Sequence, residues 1–193
     1  MNEQLQIRIH GDAALPTLVY LPGLHGDWTL VSSFRAAVAG RVRFIEFTYP
    51  RTVTWTPTDY AAAVTDALSA NGIAQGWLLA ESFGSLPAWE LLSGAGRQPG
   101  TRPGPVAARF KVLGLVLAGG FVRHPMPWGA RWMRRAGEWL PMSLYRRLLR
   151  GYACYAKFRH RNAPETLASI GEFVARRTAP DREAMRARLR LVA

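Results

Sequence analysis

Apolar and polar positions along the first 120 residues switch repeatedly between a period of two and a period near 3.6. Leu5 to Ile9 alternates apolar and polar, which predicts an edge or half-exposed strand. Thr17 to Leu21 is a short buried-type run that ends in Pro22-Gly23, and Trp28 to Ala39 then reads as a helix. Val42 to Phe47 predicts the next strand. Thr56-Pro57-Thr58-Asp59 is a capping-box start, from which Tyr60, Val64 and Leu68 continue at helical spacing to the stop at Asn71-Gly72. Trp77 to Ala80 is another apolar run with a helical stretch directly behind it. A Gly/Pro/Arg loop from Gly94 to Pro105 leads to Val112–Ala118, apolar on both faces. Strands separated by helices predict a mostly parallel sheet covered on both sides, an α/β fold of three layers.

Past Val122 the pattern is helical only. Trp128, Trp132, Ala136 and Trp139 repeat at helical spacing, as do Leu144, Leu148, Tyr152 and Tyr155, with Arg146 and Arg150 turned away. Such stripes predict ordinary core or lid packing. Asn162-Ala163-Pro164-Glu165 and Thr178-Ala179-Pro180-Asp181 are two further capped, proline-bearing helix starts. The pattern therefore divides the chain into an α/β core at 1–122 and a helical lid region at 123–193, with no internal repeat.

Composition narrows the class. Of 193 residues, 49% are apolar, including seven Trp and eight Phe, which suits a packed core and excludes disorder. The net charge of +12 is concentrated late: residues 1–120 hold nine basic and eight acidic side chains, and residues 121–193 hold sixteen and five. All the basic residues but Lys111 and Lys157 are arginines. With no nucleic-acid motif beside them, they read as the solvated surface of helices and no nucleic-acid partner is expected. The lesser alternative is attraction of these Arg-rich amphipathic helices to an anionic membrane surface. The single cysteine, Cys154, excludes an intramolecular disulfide and reads as a small buried apolar residue. The start, Met-Asn-Glu-Gln, has neither a basic nor an apolar signal region, and Val112 to Val122 is too short to span a bilayer, so a cytoplasmic setting is expected.

The candidate chemistry lies in Ala80-Glu81-Ser82-Phe83-Gly84, a small-x-Ser-x-small pattern between a predicted strand and a predicted helix. A serine on so sharp a corner is exposed, with its backbone neighbours at a helix N-terminus. The segments LVYLPGLHGDW (Leu18 to Trp28), LLAESFGSLPAWELL (Leu78 to Leu92) and LGLVLAGGFVRHP (Leu113 to Pro125) together resemble the α/β-hydrolase superfamily, in particular its compact bacterial serine hydrolases. That resemblance implies Ser82 as the nucleophile of an esterase-like hydrolase acting on a small-molecule acyl substrate. It implies an oxyanion hole built from the backbone N–H groups of Phe83 and Leu24, the latter in the Pro22-Gly23-Leu24-His25-Gly26 loop. His25 orders that loop or faces substrate, and Glu81 packs beside the nucleophile. Serine at the elbow argues against dehalogenases. No cofactor or metal is implied, since no clustered His/Cys/carboxylate set is present.

The remaining triad members are not found in their expected places. The superfamily order is Ser, then Asp or Glu, then His, each after a later strand. After Ser82 the only histidines are His124 and His160. His124 follows Val112–Ala118 at the active end of the sheet and is a possible lining residue without an orienting carboxylate. His160 sits in a basic helical segment as a surface residue, and Asp181 suits the dipole at its helix start. The expectation is therefore a chain cut short before the strands that bear the acid and the histidine. The alternative to a hydrolase is a catalytically deficient member acting as a ligand-binding or interaction protein.

Overall fold

The computed structural model describes residues 4–93, 110–122, 128–129, 131–132, 135, 139, 141–175 and 177–192. Strands β1 (Gln6–His10), β2 (Thr17–Leu21), β3 (Arg43–Thr48), β4 (Gln75–Glu81) and β5 (Lys111–Ala118) form one sheet in the order β1-β3-β2-β4-β5. Only β1 runs antiparallel; β3, β2, β4 and β5 are mutually parallel. The alternating Leu5–Ile9 segment thus occupies an edge, as its pattern predicts.

Helices α1 (Ser32–Val38), α2 (Pro57–Ala70) and α3 (Ser85–Ser93) connect these strands. The predicted helix from Trp28 begins instead as a short 3-10 turn, Thr29–Val31, because Asp27 Oδ1 accepts the Thr29 N–H at 3.0 Å and tightens the start. Helix α2 starts as its sequence predicts: Thr56 and Asp59 exchange side-chain-to-backbone bonds in a capping box, with Pro57 in the first turn.

The period-two alternation decides what each sheet face packs against. Val19, Leu21, Ile45, Phe47, Leu78 and Ala80 point to the face covered by α2 and α3, where Tyr60, Val64, Leu68, Ala88 and Leu91 meet them. Tyr20, Phe44 and Leu79 point to the other face, where Trp28 and Val31 cover them. Glu46 also lies on that second face, fully buried, and is held by Arg35 Nη1 at 2.6 Å and His10 Nε2 at 3.2 Å.

Among the described residues, three complete helices follow β5: α4 (Met142–Arg159), α5 (Pro164–Ala175) and α6 (Ala179–Val192). Here the structure corrects three expectations. The described residues of the predicted packing stripes are exposed: Trp128, Trp132, Trp139, Leu144, Leu148, Tyr152 and Tyr155 all face solvent, and Ala136 lies outside the described residues. Helix α4 docks through a different face, Ala153 and Ala156 against Ile170 and Val174 of α5. Cys154 neighbours that contact but turns out of it, so it is exposed rather than buried. The late arginines are not all solvated either. Arg177, Arg182 and Arg188 are buried, because each finds oxygen, sulfur or aromatic partners that replace water around the guanidinium.

The apolar strand β5 pairs with β4 alone among the described residues, at the edge of the sheet. Leu113, Val116 and Leu117 remain between 41% and 48% exposed on it, an unusually apolar surface for an edge strand.

Candidate active site

Register brings the two candidate loops together. Leu21 of β2 pairs with Ala80 of β4 in parallel, so the chain leaves β2 at Pro22 level with Glu81, the last residue of β4. That end, beyond the carboxyl ends of parallel strands, is where open α/β sheets assemble their sites. β5 extends the same level, pairing Ala118 with Glu81.

Ser82 sits directly after β4 with φ of 47°, alone in the left-handed region among the described non-glycine residues. A side chain in that region is strained by about 1 kcal/mol or more, and the surrounding structure must hold it there. The 3-10 turn Ser82–Gly84 follows at once and feeds α3. Ser85 locks the corner: its hydroxyl donates to the Ser82 carbonyl at 2.7 Å and accepts the Phe121 N–H at 3.2 Å. Trp89 Nε1 donates to the Phe121 carbonyl at 3.0 Å, so the segment after β5 is clipped to α3 beside the elbow.

Two glycines permit the close approach of the loop to the elbow. A Cβ on Gly84 would lie 2.2 Å from the Leu21 carbonyl oxygen, backbone that cannot give way. A Cβ on Gly23 would lie 3.3 Å from Glu81 Oε1 and 3.4 Å from the Glu81 carbonyl oxygen. Phe83 is buried against the edges of the Tyr49 and Tyr60 rings, which fixes the residue after the serine. The loop closes on itself as a turn, Gly26 N–H donating to the Gly23 carbonyl at 2.9 Å.

Glu81, the residue before the serine, anchors a polar cluster. Glu81 accepts a short hydrogen bond from the Tyr20 hydroxyl, and His25 Nε2 is 4.0 Å from Glu81 Oε2. Burial, and then the carboxylate of Glu81, pushes the Tyr20 hydroxyl far above the usual phenol range, so it stays a proton donor. The His25 side chain is only 8% exposed and stands edge-on to Phe173, and burial outweighs the pull of Glu81 and Asp27 to lower its pKa. The imidazole is neutral at neutral pH. The ring packs between Glu81 and Phe173, and its Nε2 makes no hydrogen bond among the described residues. His124 lies outside the described residues. His160 is the exposed residue that ends α4. Asp181 caps α6 through the Thr178 N–H at 2.9 Å and also binds Arg51 Nε at 2.7 Å.

Sequence reasoning missed two buried arginines behind the loop. Arg188 Nη1 donates to the Leu24 carbonyl at 2.9 Å, Nη2 to the Pro50 carbonyl at 3.2 Å, and Nε to the Tyr60 hydroxyl at 3.3 Å. Arg177 Nη1 donates to the His25 carbonyl at 3.2 Å and Nη2 to Asp27 Oδ2 at 2.6 Å. Burial raises the Asp27 pKa, but Arg177 and the Thr29 hydroxyl and N–H outweigh it and hold the carboxyl below its usual range. A signal for Arg188 was present in the sequence. It shares the 184, 187, 188, 191 spacing of the buried face of α6 with Ala184, Ala187 and Leu191, so an arginine stands where an apolar residue is expected.

This arrangement, a mixed sheet with one antiparallel edge and a positive-φ serine between strand and helix beside a glycine turn from the neighbouring strand, decides the fold. The chain has the α/β-hydrolase fold. It superposes on a carboxylesterase structure from Nitrososphaera gargenis with a TM-score of 0.70 at 14% identity, covering 98% of this chain and 69% of that one. A hydrolase from Pseudomonas aeruginosa PA01 is similar at TM-score 0.66 and 16% identity, covering 97% and 68% of the two chains. The enol-lactonase from Burkholderia xenovorans LB400 gives 0.65 and 18%, covering 97% and 69%. No protein-family model and no curated protein matches the chain. The α/β-hydrolase-fold chain thus spans about two thirds of the length of the structures it resembles.

Proposed function

We propose that this chain carries the nucleophilic half of a serine hydrolase acting on a carboxylic ester or related acyl substrate, with Ser82 as the nucleophile. The observation that carries this reading is the positive φ of Ser82 at a strand-to-helix corner, locked by Ser85 and flanked at the same sheet end by the 22–26 turn. Strain of this kind is retained where a side chain must be presented rather than packed. In the reaction, Ser82 Oγ forms a bond to the carbonyl carbon while the carbonyl π electrons move onto oxygen. The N–H groups of Leu24 and Phe83 hold that oxyanion; the proton given up by Ser82 Oγ is carried by water to the leaving oxygen, so that collapse expels the alcohol and leaves an acyl-serine for water to cleave.

A second reading, a catalytically deficient member that binds ligands or partners, is favoured by the described histidines. His10 is bound to Glu46, His160 is exposed at the end of α4, and His25 Nε2 is buried 4.0 Å from Glu81 Oε2 without a hydrogen bond to Ser82 or any other described group. Without a base the serine hydroxyl is a weak nucleophile near neutral pH. Both readings are tested on the 193-residue chain with a fluorophosphonate probe and p-nitrophenyl esters. The hydrolase reading expects slow covalent labelling at Ser82, absent in Ser82→Ala, with ester turnover close to background. A natively folded chain left unlabelled at Ser82 overturns it and leaves the binding reading.

A further inference from the structure

Helix α4 presents two apolar faces, and only one of them has a partner. On a helical wheel, Met142, Tyr145, Leu149, Ala153 and Ala156 form the inner face. Ala153 and Ala156 meet α5, and Tyr145 lies under the Arg182 guanidinium of α6, 5.0 Å from its ring centroid. The other face carries Leu144, Leu148, Tyr152, Tyr155 and Phe158, which fall within about a third of the helix circumference. These side chains are 42% to 68% exposed, far more than their chemistry favours in water. Trp128, Trp132 and Trp139, just ahead of α4 in the chain, are 64%, 72% and 87% exposed.

The charge beside this face says what covers it. Arg146, Arg147, Arg150 and Lys157 follow one another along a single flank of α4, with Arg159 in the last turn, and the helix contains no acidic residue. We propose that α4 lies on an anionic lipid surface, with Leu144, Leu148, Tyr155 and Phe158 in the headgroup and acyl boundary and the basic flank against the lipid phosphates. An apolar stripe beside an all-basic flank is the pattern of a helix lying in the plane of a membrane interface. Tryptophan and tyrosine add to the match, since an amphipathic ring is suited to the boundary between headgroups and acyl chains. No described helix is long and apolar enough to cross a membrane, so the contact is a surface one.

Competing occupants fit less well. A second copy joined through α4 by a two-fold axis would bring one uniformly basic helix against another, with no acid on either to neutralise it. A nucleic acid would satisfy the arginines and leave the leucines and aromatic rings in water. The proposal is independent of Ser82 chemistry and is read without any substrate.

The test is flotation of the full chain with vesicles on a density gradient, where aggregated protein sinks and bound protein rises. Vesicles of phosphatidylglycerol and phosphatidylcholine in equal parts are compared with phosphatidylcholine alone. The chain is expected to float with the anionic vesicles, to stay behind with the neutral ones, and to lose most of its binding at about 0.5 M salt, where surface charges are strongly screened. Arg146→Glu/Arg150→Glu, both exposed, should weaken partitioning at least about tenfold. Leu148→Asp should do the same without changing the far-ultraviolet spectrum. Absence of flotation with anionic vesicles overturns the proposal. So does binding that Leu148→Asp and the double reversal leave unchanged in folded protein. A concentration-dependent dimer that Leu148→Asp dissociates overturns it in favour of a second copy.

Discussion

Arg188 and Leu24 lie 164 residues apart in sequence, yet Arg188 Nη1 donates to the Leu24 carbonyl at 2.9 Å and ties the last helix to the loop beside Ser82. The same guanidinium fills the space over Gly26, where a Cβ would fall 2.2 Å from Arg188 Nη1. Helix α6 is thus joined to the loop that the proposed reaction uses, through one buried side chain and three oxygen acceptors. Each hydrogen bond from a charged donor contributes about 1.5–3 kcal/mol where its loss strands a buried partner.

Arg188→Met keeps much of the buried volume and removes all three bonds. The expected outcome is faster amide exchange across residues 22–27 and a fall in stability of about 3 kcal/mol. Fluorophosphonate labelling of Ser82 should slow as well, because the proposed reaction relies on the Leu24 N–H and the variant loosens its loop. Arg188→Lys should recover only part of both losses, since an ammonium lacks the planar fork that spans Leu24, Pro50 and Tyr60. Equal exchange rates in the Arg188→Met variant and the parent protein would show that the loop is fixed by its own turn.

Asp27 and Arg177 form an ion pair at 2.6 Å with side chains 9% and 2% exposed. Removing one charge leaves the other buried and unpaired, so Asp27→Asn should cost about 3 kcal/mol, or roughly 10 °C in thermal midpoint for a chain of this size. The Asp27 pKa is depressed in the folded protein. Its contribution is therefore complete above the ordinary carboxylate pKa and is lost as pH falls through the lowered value. Denaturant titration of parent and Asp27→Asn between about pH 2.5 and 7 reads both effects, and the gap between the two curves should close at the acid end.

His25 gives a pH dependence in a different window. Its pKa is lowered by burial, so the unfolded chain binds a proton more readily than the folded one. Stability is present above the unfolded value, about 6.5, and is lost as pH falls from there toward the lowered folded value. His25→Gln removes this contribution, and its stability should change less than the parent's between about pH 7.5 and 5.5. Parallel curves would show that His25 protonates freely in the folded protein.

Gly84→Ala tests the contact between loop and elbow. Its Cβ would meet the Leu21 carbonyl oxygen at 2.2 Å and the Pro22 oxygen at 3.0 Å, both backbone. Relief requires β2 and the turn after Ser82 to separate, at a cost of about 3 kcal/mol, within the range seen for overpacked interiors. Loss of Ser82 labelling at a temperature where the variant remains folded is the expected reading. Unchanged labelling would mean that the serine tolerates a displaced loop.

The fold was largely legible in the sequence because local rules carry it. Alternation in Leu5–Ile9, the apolar runs at 17–21, 77–80 and 112–118, and the capping box at Thr56 each report a nearest-neighbour preference that the sheet and helices obey. The serine corner was legible for the same reason, since small residues flank a serine between a strand and a helix, and Ser82 there takes a positive φ. Burial of the late helices was not. Whether Leu148 packs or faces solvent depends on which of two apolar faces of α4 meets α5, and both have helical spacing.

The three buried arginines went unread because their cost is offset by partners distant in the chain: Arg188 by carbonyls at 24 and 50, Arg177 by Asp27, Arg182 by Met142 and Tyr145. A window of neighbouring residues scores arginine as a surface residue, since an unpaired buried guanidinium is prohibitively costly. By itself the sequence determined the elements, their order and the serine at their junction, all properties of adjacent residues. Tertiary structure alone decided that the 22–26 turn stands beside Ser82, held from behind by α6, because that placement comes from strand register and long-range hydrogen bonds.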